Sequence, residues 1–276
     1  MTVSINTNVG AMIALQNLNK TNMDLEQTQG RINTGMKVAS SKDNGAIYAI
    51  AQRMRSDVQA YGAVKNVLDR TSSTVDVGLA AGESVMDLLT QMKEKALAAA
   101  DASIDTNSRD SYNVDFVALR NQISRIVQNA TFNGINMVNG TTTSLRALAN
   151  ATGTNLLTVA AENMTLGGGI VTVTAGGQIN TRTLASNMIA SINTSITNLG
   201  LALARMGTGS KALEMHTVFV SKLADSLEAG VGNLVDADLA KESARLQALQ
   251  TKQQLGVQAL SIANQAPQAI MSLFRG

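Results

Sequence analysis

Apolar residues recur along this chain with the four-three spacing of one face of an α-helix. From Ile47 the stripe runs without a phase break through Ile50, Met54, Asp57, Tyr61, Val64, Leu68, Thr71, Val75, Gly78, Gly82, Val85, Leu89, Met92, Ala96 and Ala99. Twelve of these 16 positions are apolar, which predicts one amphipathic helix of 53 residues, about 80 Å long. A second stripe, Tyr112, Phe116, Leu119, Ile123, Ile126 and Ala130, is apolar throughout. Asn107 reads as its N-cap and Asn133-Gly134 as its stop. A third stripe runs from Ile192 through Leu199, Met206, Leu213 and Val220 to Val231, and its phase continues through Val235, Glu242, Leu249, Gln253 and Leu260 to Phe274. Gly230 and Gly232 predict a hinge between those two stretches. A weaker helix is readable near residues 6–33 through Leu18, Leu25 and Ile32.

The middle of the chain breaks the helical pattern. Residues 131–182 hold eight glycines and only three charges, Arg146, Glu162 and Arg182. Leu156–Val159 and Ile170–Thr174 read as short strands, punctuated by Gly167-Gly168-Gly169 and Gly176-Gly177. The expected fold is therefore mainly α: a long antiparallel helical rod, coiled-coil-like, with a small β-hairpin region in the middle.

Composition narrows the chemistry. The 276 residues include no Cys, no Trp, one Pro and one His. Disulfides and Cys-ligated zinc or iron–sulfur sites are excluded, and so is a zinc motif that needs two histidines. A net charge of +2 is too balanced for an electrostatic nucleic-acid binder. The Gly167-Gly168-Gly169 cluster is not followed by Lys-Ser/Thr, so it reads as a turn and not a phosphate loop. His216, near Glu214, reads as a helix-surface residue, and Asp236 with Asp238 as a helix cap more than a cation pair. The 13 Met residues read as seam filling. No catalytic residue, cofactor site or metal site is predicted.

Charge placement is the strongest functional signal. Residues 1–19 and 253–274 contain no Asp, Glu, Lys or Arg, so 41 of the 42 charged residues lie between Lys20 and Lys252. The C-terminal run is long enough to span a bilayer but too rich in Gln, Asn and Ser for lipid, so no membrane insertion is expected. The stretch Val9–Leu15 lacks the flanks of a cleaved secretory signal. Beyond Gln254 a second apolar face appears through Leu255, Ala259, Ile262, Ala266, Ala269 and Leu273. A helix with two apolar faces and no charge needs neighbours on several sides, which predicts packing against other copies.

Several motifs resemble those of bacterial flagellin. At the N-terminal side these are Ile5-Asn6-Thr7-Asn8, Arg31-Ile32-Asn33-Thr34-Gly35, Ser41-Lys42-Asp43-Asn44-Gly45-Ala46-Ile47 and Phe132-Asn133-Gly134. At the C-terminal side they are Asp236-Ala237-Asp238, Gln253-Gln254-Leu255-Gly256, Ala263-Asn264-Gln265 and Ser272-Leu273-Phe274-Arg275. Asp43-Asn44 departs from the family, which more often has two Asp. The resemblance covers about residues 1–140 and 185–276.

It implies a short, two-domain flagellin: an inner filament layer of residues 1–42 with 232–276, and a rod of residues 43–231. Inter-subunit packing would fall to Val9, Met12, Leu15, Leu18, Leu25, Leu246, Leu249, Leu255, Leu260, Ile262, Ile270, Leu273 and Phe274. The implied function is a structural subunit of the extracellular flagellar filament, exported unfolded by the flagellar type III system without a cleaved signal and added at the distal tip. Implied partners are further copies of the chain, the export apparatus, a flagellin chaperone, the filament cap, the hook–filament junction protein and, in mixed filaments, other flagellins. Where detected family members carry Arg-x-Arg-Glu-Leu for the host innate receptor, this chain has Gln91, Met92, Lys93, Glu94 and Lys95. O-glycan acceptors would be Thr141, Thr142, Thr143, Thr172 and Thr174 in the outward segment. With the C-terminal helix innermost, as in the family, Gln254, Gln258, Ser261, Gln265, Gln268 and Ser272 would supply a neutral channel wall. The alternatives are a hook–filament junction protein of the same superfamily and a non-flagellar coiled-coil signalling or scaffold protein.

Overall fold

The computed structural model describes residues 7–273, with side chains up to Gln265. Element order is α1 (Val9–Thr34), α2 (Gly45–Ala100), α3 (Thr106–Asn129), β1 (Thr131–Phe132), β2 (Ile135–Asn136), β3 (Ser144–Leu148), β4 (Leu156–Ala160), α4 (Arg182–Val235) and α5 (Leu239–Leu273). The protein is mainly α with two small antiparallel hairpins, as the periodicity predicts. The chain divides into two compact units, one built from the segments before Asp57 and after Asp225, the other from Asp57–Asp225.

In the Asp57–Asp225 unit, the stripe residues of α2 from Val64 to Ala99 are all buried. They meet Phe116, Ile123 and Val127 of α3 and Ile192, Leu199, Met206, Leu213 and Val220 of α4 in one core. Gly78 and Gly82 belong to this contact: a Cβ would stand 2.7 Å from Met206 Cε at the first and 2.5 Å from Leu203 Cδ2 at the second. The two glycines are notches that let α4 approach α2.

The hairpin region departs from the sequence reading in three places. The N-cap of α3 is Asp105, whose Oδ1 accepts the Ser108 N–H at 3.0 Å, so Asn107 lies inside the first turn. Helix α3 ends at Asn129, and Asn133-Gly134 is instead the two-residue turn of the β1–β2 hairpin, with φ of 48° and 79°. Both central residues of such a turn need positive φ, which Asn tolerates and Gly adopts freely. The Leu156 strand forms, but its partner is Ser144–Leu148, not Ile170–Thr174. Val171 and Val173 are buried as their alternation suggests, yet the segment lies on α4: the Thr172 N–H donates to Ser195 Oγ at 2.9 Å and its hydroxyl to Ser191 O. A helix occupies the side where a ladder would form.

No hinge occurs at Gly230 and Gly232, since α4 runs unbroken to Val235. A helical glycine costs only about 1 kcal/mol, and Gly230 leaves room for Met54, whose Cε lies 2.8 Å from where a Cβ would stand. The break falls at residues 236–238 instead. There Asp236 bridges to Met36, the Ala237 N–H donates to Gly35 O, and Asp238 caps α5 by accepting the Lys241 N–H at 3.1 Å.

Candidate subunit interface

Helix α1 begins where Asn8 Oδ1 accepts the Ala11 N–H and ends at Gly35, in the left-handed conformation with φ 71°. Three polar ties then fix its antiparallel pairing with α5. Asn8 Nδ2 donates to Ala263 O at 2.7 Å, Gln253 Nε2 donates to Asn22 Oδ1 at 2.8 Å, and Arg31 Nη1 donates to Glu242 Oε1 at 3.1 Å. Between the ties Leu18 sits 3.2 Å from the place a Cβ would take on Gly256. Leu18, Leu25, Leu246 and Leu260 are half-buried along this seam and Leu249 is buried.

The family-like motifs at the base of the pair are structural. The Asp43 carboxylate accepts the N–H groups of Ala39 and Ser40 and the Ser40 hydroxyl, which holds its pKa below the usual 3.8. Asn44 Oδ1 accepts the Ile47 N–H at the start of α2. Val38, Ala51, Val231 and Val235 close a small core beside this loop.

The remaining apolar residues of the pair stay open. Val9 is 62% exposed, Met12 58%, Leu255 59% and Ile262 69%, and Ile13, Leu15, Met23 and Val257 are exposed as well. The pairing within one chain thus takes Leu18, Leu25, Leu246, Leu249 and Leu260, and leaves Val9, Met12, Leu15, Leu255 and Ile262 to water. Ile270, Leu273 and Phe274 lie outside the residues whose side chains are described. Such a run of exposed large apolar residues on one helix pair marks an interaction surface.

The other singled-out residues lie in the Asp57–Asp225 unit. Gln91 and Glu94 are exposed, and Lys93 and Lys95 are half-buried, with Lys95 Nζ donating to Asp115 Oδ2 at 2.9 Å. Thr141, Thr143 and Thr174 are exposed, while Thr142 and Thr172 are half-buried. His216 is not simply on the surface: it is half-buried, with Nε2 2.7 Å from Ala149 O. Among the described residues no group of His, Cys, Asp and Glu is placed to hold a metal ion, and no helix is long and apolar enough to cross a membrane.

Two family profiles match the ends that build this surface. The bacterial flagellin N-terminal helical region matches residues 5–143 and the C-terminal helical region matches residues 189–274. The chain belongs to the bacterial flagellins. It is 56% identical to flagellin FljM of Caulobacter vibrioides, over 99% of this chain and 98% of that one. It is 37% identical to a Brucella melitensis flagellin over 99% of both. Among solved structures, a putative flagellar hook-associated protein from Vibrio parahaemolyticus matches with a TM-score of 0.59 and 12% identity, covering 70% of this chain and all of that one. That last likeness concerns the fold alone, whereas the sequence matches over the full length are to flagellins. As a flagellin the chain is a structural subunit of a filament.

Proposed function

We propose that this flagellin polymerises through its α1–α5 pair into the extracellular filament that drives bacterial swimming. The observation that carries this reading is the helix pair with both seams in use: one closed within the chain by Leu18, Leu25 and Leu249, the other open through Val9, Met12, Leu255 and Ile262. Residues 1–42 and 232–276 form the inner layer of the filament, and residues 43–231 the surrounding rod. Subunits leave the cell unfolded through the flagellar type III route, without a cleaved signal, accompanied by a flagellin chaperone. They add beneath the cap at the distal tip, above the hook–filament junction protein, in contacts that repeat head to tail and do not close on themselves. Thr143 and Thr174 present open hydroxyls to an O-glycosylating enzyme, whereas the Thr141 hydroxyl donates to Asn139 Oδ1 at 2.6 Å and the Thr172 hydroxyl to Ser191 O.

Negative-stain microscopy of the purified chain tests the reading. Wild-type protein gives long helical filaments, and Met12→Glu with Ile262→Glu gives a monomer of unchanged helicity. Filaments from that variant, or none from the wild type, would overturn it.

A further inference from the structure

Two arginines from different elements converge on one cavity of the Asp57–Asp225 unit. Arg70 of α2 and Arg146 of β3 line a space of about 190 Å³ with Thr71, Thr74, Asn133 and Leu145, and no acidic residue lines it. Among the described residues neither guanidinium is in an ion pair, since the four pairs are Arg31–Glu242, Lys95–Asp115, Arg205–Glu162 and Lys211–Glu214. Thr71 and Thr74 spend their hydroxyl protons on the Val67 and Arg70 carbonyls of their own helix. The charged donors of the cavity are therefore the two planar guanidiniums, which suit the two oxygens of a carboxylate.

The same unit carries the matching charge elsewhere. Asp69, Asp76, Glu83, Asp87 and Glu94 are all exposed on α2, and none is in an ion pair among the described residues. Spacings of seven, seven, four and seven residues keep them within about 40° of one another on the helix surface. Glu83 and Asp87, four apart, repel each other on an isolated helix. Arg70 lies roughly 120° round the helix from this stripe, so one copy cannot bring both surfaces to the same place.

Resting on the polymerisation proposed above, we propose that the Arg70–Arg146 cavity takes carboxylates of the α2 stripe of a second copy. Pocket and stripe are different surfaces, so the contact is heterologous and, where the rotation between copies does not close a ring, repeats along an open polymer. It pairs unlike charges across the interface and sets the relative position of neighbours, which is what charge complementarity does best.

Charge reversal tests it. Arg70→Glu with Arg146→Glu, read by sedimentation of polymer from monomer, raises the critical concentration about tenfold or more. The monomer's thermal melt stays unchanged, because both side chains are exposed. Glu83→Lys with Asp87→Lys does the same alone. Joining both reversals in one chain restores polymerisation, as does mixing the two reversed proteins. Normal polymerisation of the arginine variant overturns the proposal. So does failure of both restorations; added phosphate driving wild-type assembly would then assign the cavity to a free anion. A wild type that forms no filament under any condition defeats the polymerisation reading itself, a separate outcome.

Discussion

Arg205 of α4 holds Glu162 with both arms of its guanidinium, Nε to Oε1 at 2.7 Å and Nη2 to Oε2 at 2.9 Å. Glu162 is only 9% exposed, and its own N–H donates to Met137 O, so this fork fastens the segment after β4 to α4. Removing the arginine strands a buried carboxylate. Arg205→Ala is expected to lower the urea midpoint, though by less than breaking a fully buried pair would, because the Arg205 side chain is more than half open to water. Arg205→Lys keeps the charge but loses the fork and falls between. Urea denaturation of the monomer measures both.

The cap of α3 gives a pH dependence. Asp105 has its pKa lowered from 3.8, first by the Ser108 side chain and then by the Ser108 N–H. A carboxyl with a depressed folded-state pKa stabilises fully above its unfolded value and loses that contribution as pH falls through the folded value. Stability should therefore drop below about pH 3.8. Asp105→Asn still caps but does not titrate, so its urea midpoint should fall less between pH 5 and pH 3 than the wild type's. Equal falls would remove Asp105 as a contributor.

The helices were legible because their stripes are strict: from Val64 to Ala99 every stripe position of α2 is buried. The polar ties were half-legible. Glu242 and Gln253 interrupt an apolar phase, and a polar residue on a seam needs a partner. Their partners, Arg31 and Asn22, lie more than 200 positions away, and no local pattern announces them. The Ile170–Thr174 strand and the Gly230–Gly232 hinge failed for one reason. Alternation and glycine report local preference, while the surface of α4 decided the first and the packing of Met54 at Gly230 the second. The open faces of α1 and α5 were visible as absence of charge. Which leucines serve the chain's own seam depends on the register of the α1–α5 pair, which no local pattern sets.

Truncation separates assembly from folding. Ending the chain after Asp238 removes α5 but keeps Val235, whose carbonyl accepts the N–H groups of Lys37 and Val38. The Asp57–Asp225 unit has its own core and should remain helical and soluble, as read by circular dichroism. The truncated chain should form no filaments; filaments from it would detach α5 from polymerisation.

Weak activation of the host receptor for flagellin is also expected. Gln91 and Lys93 stand where detected members of the family carry Arg, and Lys cannot present a planar fork. Lys95 replaces Leu and is engaged by Asp115 at 2.9 Å. A reporter-cell assay should find low potency in the wild type and a gain on Gln91→Arg, Lys93→Arg and Lys95→Leu together. Full wild-type potency would contradict the expectation.

Under the proposed export route, in which chains pass through the growing filament, the outer face of α5 is expected to matter. Gln254, Gln258, Ser261 and Gln265 are all exposed, and spacings of four, three and four place them on one face, away from the seam that Leu249 and Gln253 make with α1. If that face lines the central channel, its amides form a hydrated, neutral wall. Fixed charge there would hold oppositely charged parts of a passing chain, and helical repetition would multiply the field along the bore. An apolar wall would hold its apolar parts. A buried contact between copies would also exclude charge, and one substitution distinguishes the two. On a channel wall, Gln258→Lys permits polymerisation in vitro yet shortens filaments grown by export in cells. In a buried contact it blocks polymerisation outright, because an unpaired buried ammonium costs several kcal/mol. Filament length in cells and sedimentable polymer in vitro, measured on the same variant, give the answer, and normal-length filaments in cells would remove the neutral wall as a requirement for export.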